Sequence, residues 1–183
     1  MSTETINQQI PAGTWALDPV HSSIQFGITH SGIATFRSGF GEYSATLTGG
    51  ERPKLEGAVE VTSIDIEEEQ FKGHLMSPEF FDVENHPQLK FTTSELAVDD
   101  DGRVRLSGEL EIRGETRVVN AVGKFARVGA YLDGKERVGF SVEAAVDRRE
   151  FGLNWNADLP SGGQALEYEV AIVVELQFVA EAE

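Results

Sequence analysis

The sequence predicts an all-β protein, an antiparallel barrel of about eight strands with one short helical insertion. Apolar and polar residues alternate with a period of two through most of the chain, which is typical of half-buried strands. The chain has 19 glycines and only 6 prolines, a balance that suits many strands joined by tight turns. Most connections are short, which favours a meander over βαβ units. Closure into a barrel is favoured because it removes strand edges that promote aggregation.

Individual strands follow from the alternation. Ile24, Phe26 and Ile28 share one face of the first clear strand, and polar residues or glycine occupy the other. The clearest hairpin pairs residues 90–96 with residues 103–112, because Asp and Gly in the connecting turn tolerate left-handed backbone geometry.

Later strands follow the same pattern. Residues 118–125 and 138–146 form the next predicted pair, and the alternation from Leu166 to Phe178 predicts a long final strand. The acidic segment 67–76 interrupts the alternation and predicts the short helix, after which Pro78 begins a further turn.

Length and composition indicate one domain. A chain of 183 residues with 40% hydrophobic residues can build a single core. We expect the domain to span residues 11–180 and residues 1–10 to form a flexible N-terminus.

Charge and residue usage narrow the classes of function. The 31 acidic and 15 basic residues give a net charge of −16, which repels phosphate backbones and predicts no nucleic-acid partner. No apolar run reaches the roughly 18 residues of a membrane span, so no insertion into a membrane is expected. The first nine residues lack a basic and apolar leader, which predicts a cytoplasmic location. The chain has no cysteine, and this excludes disulfides and thiol catalysis.

Asp18, His21 and Ser22 are the residues that most suggest catalysis. No Gly-x-Ser-x-Gly elbow surrounds any serine, and members of a hydrolase triad usually come from separate elements. The sequence therefore favours local backbone hydrogen bonds for Asp18 and Ser22 as the chain enters its strand.

Histidines give little support for a metal or cofactor. His21, His30, His74 and His86 show neither His-x-His nor i, i+4 spacing, and no thiolate is present to assist them. We expect no metal site and no cofactor.

The ordered motifs resemble the YceI-like family from Trp15 to about Val179. Five segments carry the resemblance: Trp15-Ala16-Leu17-Asp18-Pro19-Val20-His21-Ser22, Ile24-Gln25-Phe26 with His30, residues 74–83 with His86-Pro87 and Phe91, residues 108–114, and Arg149-Glu150-Phe151-Gly152-Leu153. The resemblance implies a lipocalin-like antiparallel barrel whose elongated pore binds polyisoprenoid chains, including prenyl diphosphates and quinone-type molecules.

On this basis we expect non-enzymatic binding, transport or storage of an amphiphilic isoprenoid lipid, either a polyprenyl diphosphate or an isoprenoid quinone. The inward strand faces give the candidate wall, and tryptophan, histidine or arginine side chains suit the polar head at the mouth. The candidate ligand-binding residues are Phe26, Ile28, Phe91, Leu110, Phe140, Val142, His21, His74 and Trp155.

Two other functions stay open from the sequence. One is a hydrolase or isomerase acting on an isoprenoid-type substrate through Asp18, His21 and Ser22. The other is a regulatory protein-interaction module that uses the long final strand or the acidic surface. A homodimer is a further expectation, because a second copy would shield the open mouth of a lipid-binding barrel.

Overall fold

The computed structural model describes residues 10–181 and shows a closed antiparallel β-barrel with one α-helix. The strands of this range are β1 Gly13–Leu17, β2 Ser23–His30, β3 Ala34–Phe40, β4 Tyr43–Gly49, β5 Lys54–Glu60, β6 Gln88–Val98, β7 Arg103–Ile112, β8 Glu115–Val128, β9 Arg137–Asp147 and β10 Glu169–Ala180. The helix, α1, spans Glu69–Met76.

Strand β1 closes the barrel because it pairs with β4 on one side and with β10 on the other. The ring β1-β4-β5-β6-β7-β8-β9-β10 contains eight strands, and β2 and β3 extend the sheet beside β10. The predicted all-β barrel with a short helical insertion is confirmed.

β1 and β2 both pair with β10, one after the other along its length, and a short break separates them. Trp15 pairs with Ala180 and Phe26 pairs with Ile172, both antiparallel. Between the two strands, Pro19–His21 forms one turn of 3-10 helix. Proline suits the first position of such a turn, and the Asp18 carboxylate caps the turn by accepting the backbone N–H of Val20. The interruption was not predicted.

In the β6–β7 hairpin, β6 is longer than predicted at both ends and β7 spans the predicted residues. The turn of the hairpin is held by the Asp99 carboxylate, which accepts the backbone N–H groups of Asp101 and Arg103. Gly102 has a φ of 79°, a left-handed geometry that glycine adopts without steric cost. A β-bulge between Thr93 and Glu95 shifts the register within β6.

α1 and β10 both begin later than the sequence predicts. α1 begins at Glu69, because the Glu68 side chain caps it and accepts the N–H groups of Gln70 and Phe71. β10 begins at Glu169, three residues after the predicted start. Leu166 instead forms an isolated bridge with His30, and its carbonyl accepts side-chain hydrogen bonds from Asn156 and Arg148.

The interior contains two apolar clusters at opposite ends of the strands. The first, which we call the closed end, includes Trp15, Leu47, Val138 and Phe178. The second, the helix end, lies under α1 and includes Ile64, Leu75, Phe80, Ile112, Phe151 and Leu153. Strand β9 shows their separation, because Val138, Phe140 and Val142 belong to the first cluster and Val146 packs against the second.

One residue of the expected N-terminal segment, Ile10, lies within the described residues. Ile10 is only 1% exposed and belongs to the closed end, where its carbonyl accepts the N–H of Gly50. Burial of an apolar side chain holds this residue in place, which the polar residues before it did not suggest. Residues 1–9 of the predicted flexible segment lie outside the described residues.

Candidate functional site

A cavity of about 600 Å³ occupies the barrel between the two apolar clusters. Its lining includes Leu106, Phe140 and Leu176 of the closed end together with Leu75 and Phe151 of the helix end. A volume of this size is typical of a pocket for a small organic ligand rather than of a packing defect.

Alternation along the strands gives the wall its apolar character. β9 contributes Phe140, Val142, Ala144 and Val146, and β10 contributes Val170, Ile172, Val174 and Leu176. Polar residues between these positions, such as Glu143 and Glu175, are exposed on the outer face. A period of two therefore separates an apolar lumen from a charged outer surface.

Gly108 lets an aromatic ring lie against the wall. A Cβ atom at this position would come within 2.4 Å of Phe91 Cζ and 2.5 Å of the Thr92 carbonyl oxygen. The Phe91 ring therefore occupies the space that a side chain on β7 would need. The other side of the ring lines the cavity.

Most of the predicted ligand-binding residues surround this one cavity. Its lining includes Phe26, Ile28, Phe91, Leu110, Phe140, Val142, His74 and Trp155. His21 is not among the lining residues, because the 3-10 turn at Pro19 removes it from the strand alternation. Its side chain is 60% exposed, and its Nδ1 atom lies 2.8 Å from Asp18 Oδ2.

Aromatic and ionisable side chains gather at the helix end of the cavity. The His74 ring meets the Trp155 ring edge to face at 4.8 Å and the Phe80 ring at 5.6 Å. His74 Nε2 also lies 3.0 Å from Glu79 Oε2. His30 and Arg148 line the same cavity, so this end offers polar groups, whereas most of the remaining lining is apolar.

Arg148 is a site residue that sequence reasoning missed. It is 2% exposed, and its guanidinium donates to the carbonyl oxygens of Leu153, Trp155, Leu166 and Glu167. Burial lowers the pKa of this guanidinium. These bonds attach the segment between β9 and β10, which carries Trp155, to the helix end. The period-two alternation of β9, continued past Val146, places Arg148 on the inward side and the exposed Arg149 on the outward side, and this is the sequence signal that points to Arg148.

Asp18, His21 and Ser22 form a local backbone bridge. Ser22 Oγ donates to the Asp18 carbonyl oxygen at 2.7 Å and accepts the backbone N–H of Gln177 at 3.0 Å. The hydrogen bond from His21 lowers the pKa of the Asp18 carboxyl. The serine hydroxyl thus bonds backbone groups instead of the His21 ring, and the predicted local hydrogen bonds are confirmed.

Residues 10–181 contain no group of three or more His, Cys, Asp or Glu side chains arranged to hold a metal ion. None of the helices in that range is long and apolar enough to cross a membrane.

Comparisons with known proteins agree on one family. The family model described as the YceI-like domain matches residues 15–178. A UPF0312 protein of Staphylococcus epidermidis is 29% identical over 166 residues, which cover 88% of this chain and 94% of that protein. Protein YceI of Escherichia coli O157:H7 is 26% identical over 156 residues, which cover 83% of this chain and 80% of that protein.

Solved structures show the same fold. BcnA of Burkholderia cenocepacia matches with a TM-score of 0.74 and 19% identity, covering 88% of this chain and 98% of that one. A polyisoprenoid binding domain from Saccharophagus degradans, implicated in plant cell wall breakdown, matches with a TM-score of 0.71 and 16% identity, covering 91% of this chain and 98% of that one.

Proposed function

The chain belongs to the YceI-like family, and from this premise we propose that it binds an amphiphilic isoprenoid lipid inside its barrel without catalysing a reaction. The ligand class is a polyprenyl diphosphate or an isoprenoid quinone, held for transport or storage. The observation that carries the proposal is the apolar cavity of about 600 Å³ with polar side chains at one end.

Burial of the lipid tail supplies the binding free energy. Each methylene group removed from water contributes roughly 0.8 kcal/mol, so a few five-carbon units outweigh the cost of ordering one flexible chain. Phe26, Ile28, Phe91, Leu110, Phe140 and Val142 would contact the tail, since all line the cavity.

The polar head would lie at the helix end. His74 and the indole of Trp155 meet there, and both ring systems offer a polar edge beside an apolar surface. His21 is left out of the proposed site because its exposed ring contacts Asp18.

The polyisoprenoid binding domain of Saccharophagus degradans supports the ligand class by analogy of fold. The hydrogen bonds of Ser22 to backbone groups support a non-enzymatic role, because a nucleophilic serine needs a base within reach of its hydroxyl. A cytoplasmic location and a homodimer stay predictions, which cell fractionation and light scattering of the purified protein would test.

The proposal is tested by organic extraction of protein purified from its native cells, followed by mass spectrometry of the extract. Isoprenoid lipid at near one molecule per chain is expected. The matched variants are Ala144→Phe, which fills the cavity, and Ala145→Phe on the exposed side of the same strand. Loss of lipid from the first variant alone supports the proposal, and lipid-free wild-type protein that also fails to take up added isoprenoids contradicts it.

A further inference from the structure

The depth of the cavity sets the length of the ligand. Resting on the proposed function, we propose that the barrel holds one acyclic isoprenoid chain of about four five-carbon units. The tail ends at Phe140, and the polar end lies beside His74 and Trp155. This limit comes from the way the closed end of the barrel is filled.

The closed end forms a solid floor. Trp15, Leu47, Val104 and Phe178 are each 3% exposed or less and are absent from the cavity lining. The Phe140 ring lies on the boundary. Its centroid is 5.3 Å from that of Phe125 and 6.3 Å from that of Phe178, whereas Phe140 itself lines the cavity. A ligand tail that reaches Phe140 has no further space below it.

Strand geometry gives the depth above this floor. The strand-lined part of the cavity runs from Phe140 to Val146 on β9 and from Val170 to Leu176 on β10, and the lining continues through Leu153 and Trp155 at the helix end, where the polar end of the ligand lies. Six residues at about 3.4 Å per residue span about 20 Å along a strand. Strands of an eight-stranded barrel tilt by about 40° from its axis, which leaves about 15 Å along the axis.

Two estimates of ligand size then agree. An isoprene unit contributes four bonds of about 1.5 Å to the chain and extends about 5 Å, so a depth of 15 to 20 Å holds about three to four units. An engineered cavity of about 150 Å³ holds one benzene, roughly 25 Å³ per carbon, so a cavity of about 600 Å³ holds about 24 carbons, or somewhat more than four units.

A longer chain would have to leave the cavity. Carbons beyond the fourth unit would emerge past α1 and stay in contact with water, where they gain little from transfer out of solvent. Affinity should therefore rise steeply up to four units and then level off.

The test is a competition among all-trans prenols of two, three, four, six and nine units, mixed in equal amounts with delipidated protein and read by native mass spectrometry. Occupancy should rise by at least about tenfold per unit up to four units and change less than about twofold beyond. A continued rise to nine units, or a maximum at two units, overturns the length limit alone. Binding of no prenol at all contradicts the proposed function and the length limit together.

Matched variants test the cause of the limit. Ala121 on β8 lines the cavity and pairs with Leu106 of the neighbouring strand β7. Ala126 is exposed on the same strand β8. Ala121→Leu should move the preferred chain from four units toward three, whereas Ala126→Leu should leave it at four. Phe140→Leu removes the ring at the bottom of the cavity, deepens it and should move the preference toward longer chains. This second variant tests the inference even if Ala121→Leu folds poorly. An unchanged preference in every folded variant overturns the inference.

Discussion

The Ser22 hydroxyl accepts a 3.0 Å hydrogen bond from the backbone N–H of Gln177, a residue 155 positions away in the chain. The Gln177 carbonyl in turn accepts the N–H of Asp18 at 2.8 Å. Both bonds lie where the 3-10 turn separates β1 from β2. They keep this part of the chain hydrogen-bonded to β10 although it forms no strand. Residues with the composition of a hydrolase triad thus stabilise the closure of the barrel.

Ser22→Ala should lower the free energy of unfolding by roughly 1–3 kcal/mol, because it leaves the Gln177 N–H without its acceptor. Prenol affinity should stay unchanged. Urea unfolding and a binding titration measure the two effects, with Ser94→Ala on the exposed surface of β6 as the control. A variant that keeps its stability but loses a prenyl-ester hydrolase activity would instead support the triad.

Asp18 should add a pH-dependent contribution to stability. Its folded pKa lies below the usual 3.8 because His21 donates a hydrogen bond to the carboxylate. The contribution is therefore present above about pH 4 and is lost as the pH falls through the lowered pKa. Asp18→Asn should cost about 0.5–1 kcal/mol at neutral pH, since His21 is largely exposed.

Thermal unfolding between pH 7 and pH 2.5 checks this prediction. The gap between wild type and Asp18→Asn should close below about pH 4, and Asp100→Asn in the exposed β6–β7 turn should show no comparable gap. A gap that is widest at low pH would contradict the assignment.

Arg148→Met should destabilise the protein by about 3 kcal/mol or more, because the carbonyls of Leu153, Trp155 and Glu167 lose the donor that Arg148 supplies, and the Leu166 carbonyl keeps only Asn156. Arg149→Met is the matched control. Arg149 lies over the same Tyr168 ring but pairs with Asp147 at the surface, so its loss should cost less than about 1 kcal/mol. Chemical unfolding gives both values. Equal costs for the two variants would show that the carbonyl contacts of Arg148 contribute little.

The two tryptophans should respond differently to ligand. Trp155 lines the cavity, whereas Trp15 lies in the closed end with its Nε1 donating to the Pro11 carbonyl. Addition of a four-unit prenol should shift the emission of Trp15→Phe protein, which retains Trp155. The emission of Trp155→Phe protein should stay constant. A response from Trp15 alone would place the ligand at the other end of the barrel.

Alternation predicted the parts of the fold that depend on one buried face. The β6–β7 hairpin and the inward side of β9 follow from it, and so does the placement of Phe26, Phe91 and Phe140 along one lumen. Those residues share a wall because a period of two leaves each strand only two faces, and burial selects the apolar one.

Features set by distant contacts were not predictable in this way. Before the late start of β10, the Leu166 carbonyl accepts a hydrogen bond from Arg148, a residue 18 positions earlier in the chain. His21 was assigned to the site from the chemistry of its side chain, yet the turn at Pro19 moves it out of the alternation. The volume of the cavity depends on how the side chains of the closed end pack together. The period-two pattern within single strands does not predict this packing.

Crystallographic density for delipidated protein soaked with a four-unit prenol tests the central claim most directly. We expect continuous, elongated density inside the barrel, with one end against Phe140 and the polar end beside His74 and Trp155. A barrel interior without prenol density at saturating concentration, or prenol bound only to the outer surface, would contradict the assignment of this cavity to an isoprenoid lipid.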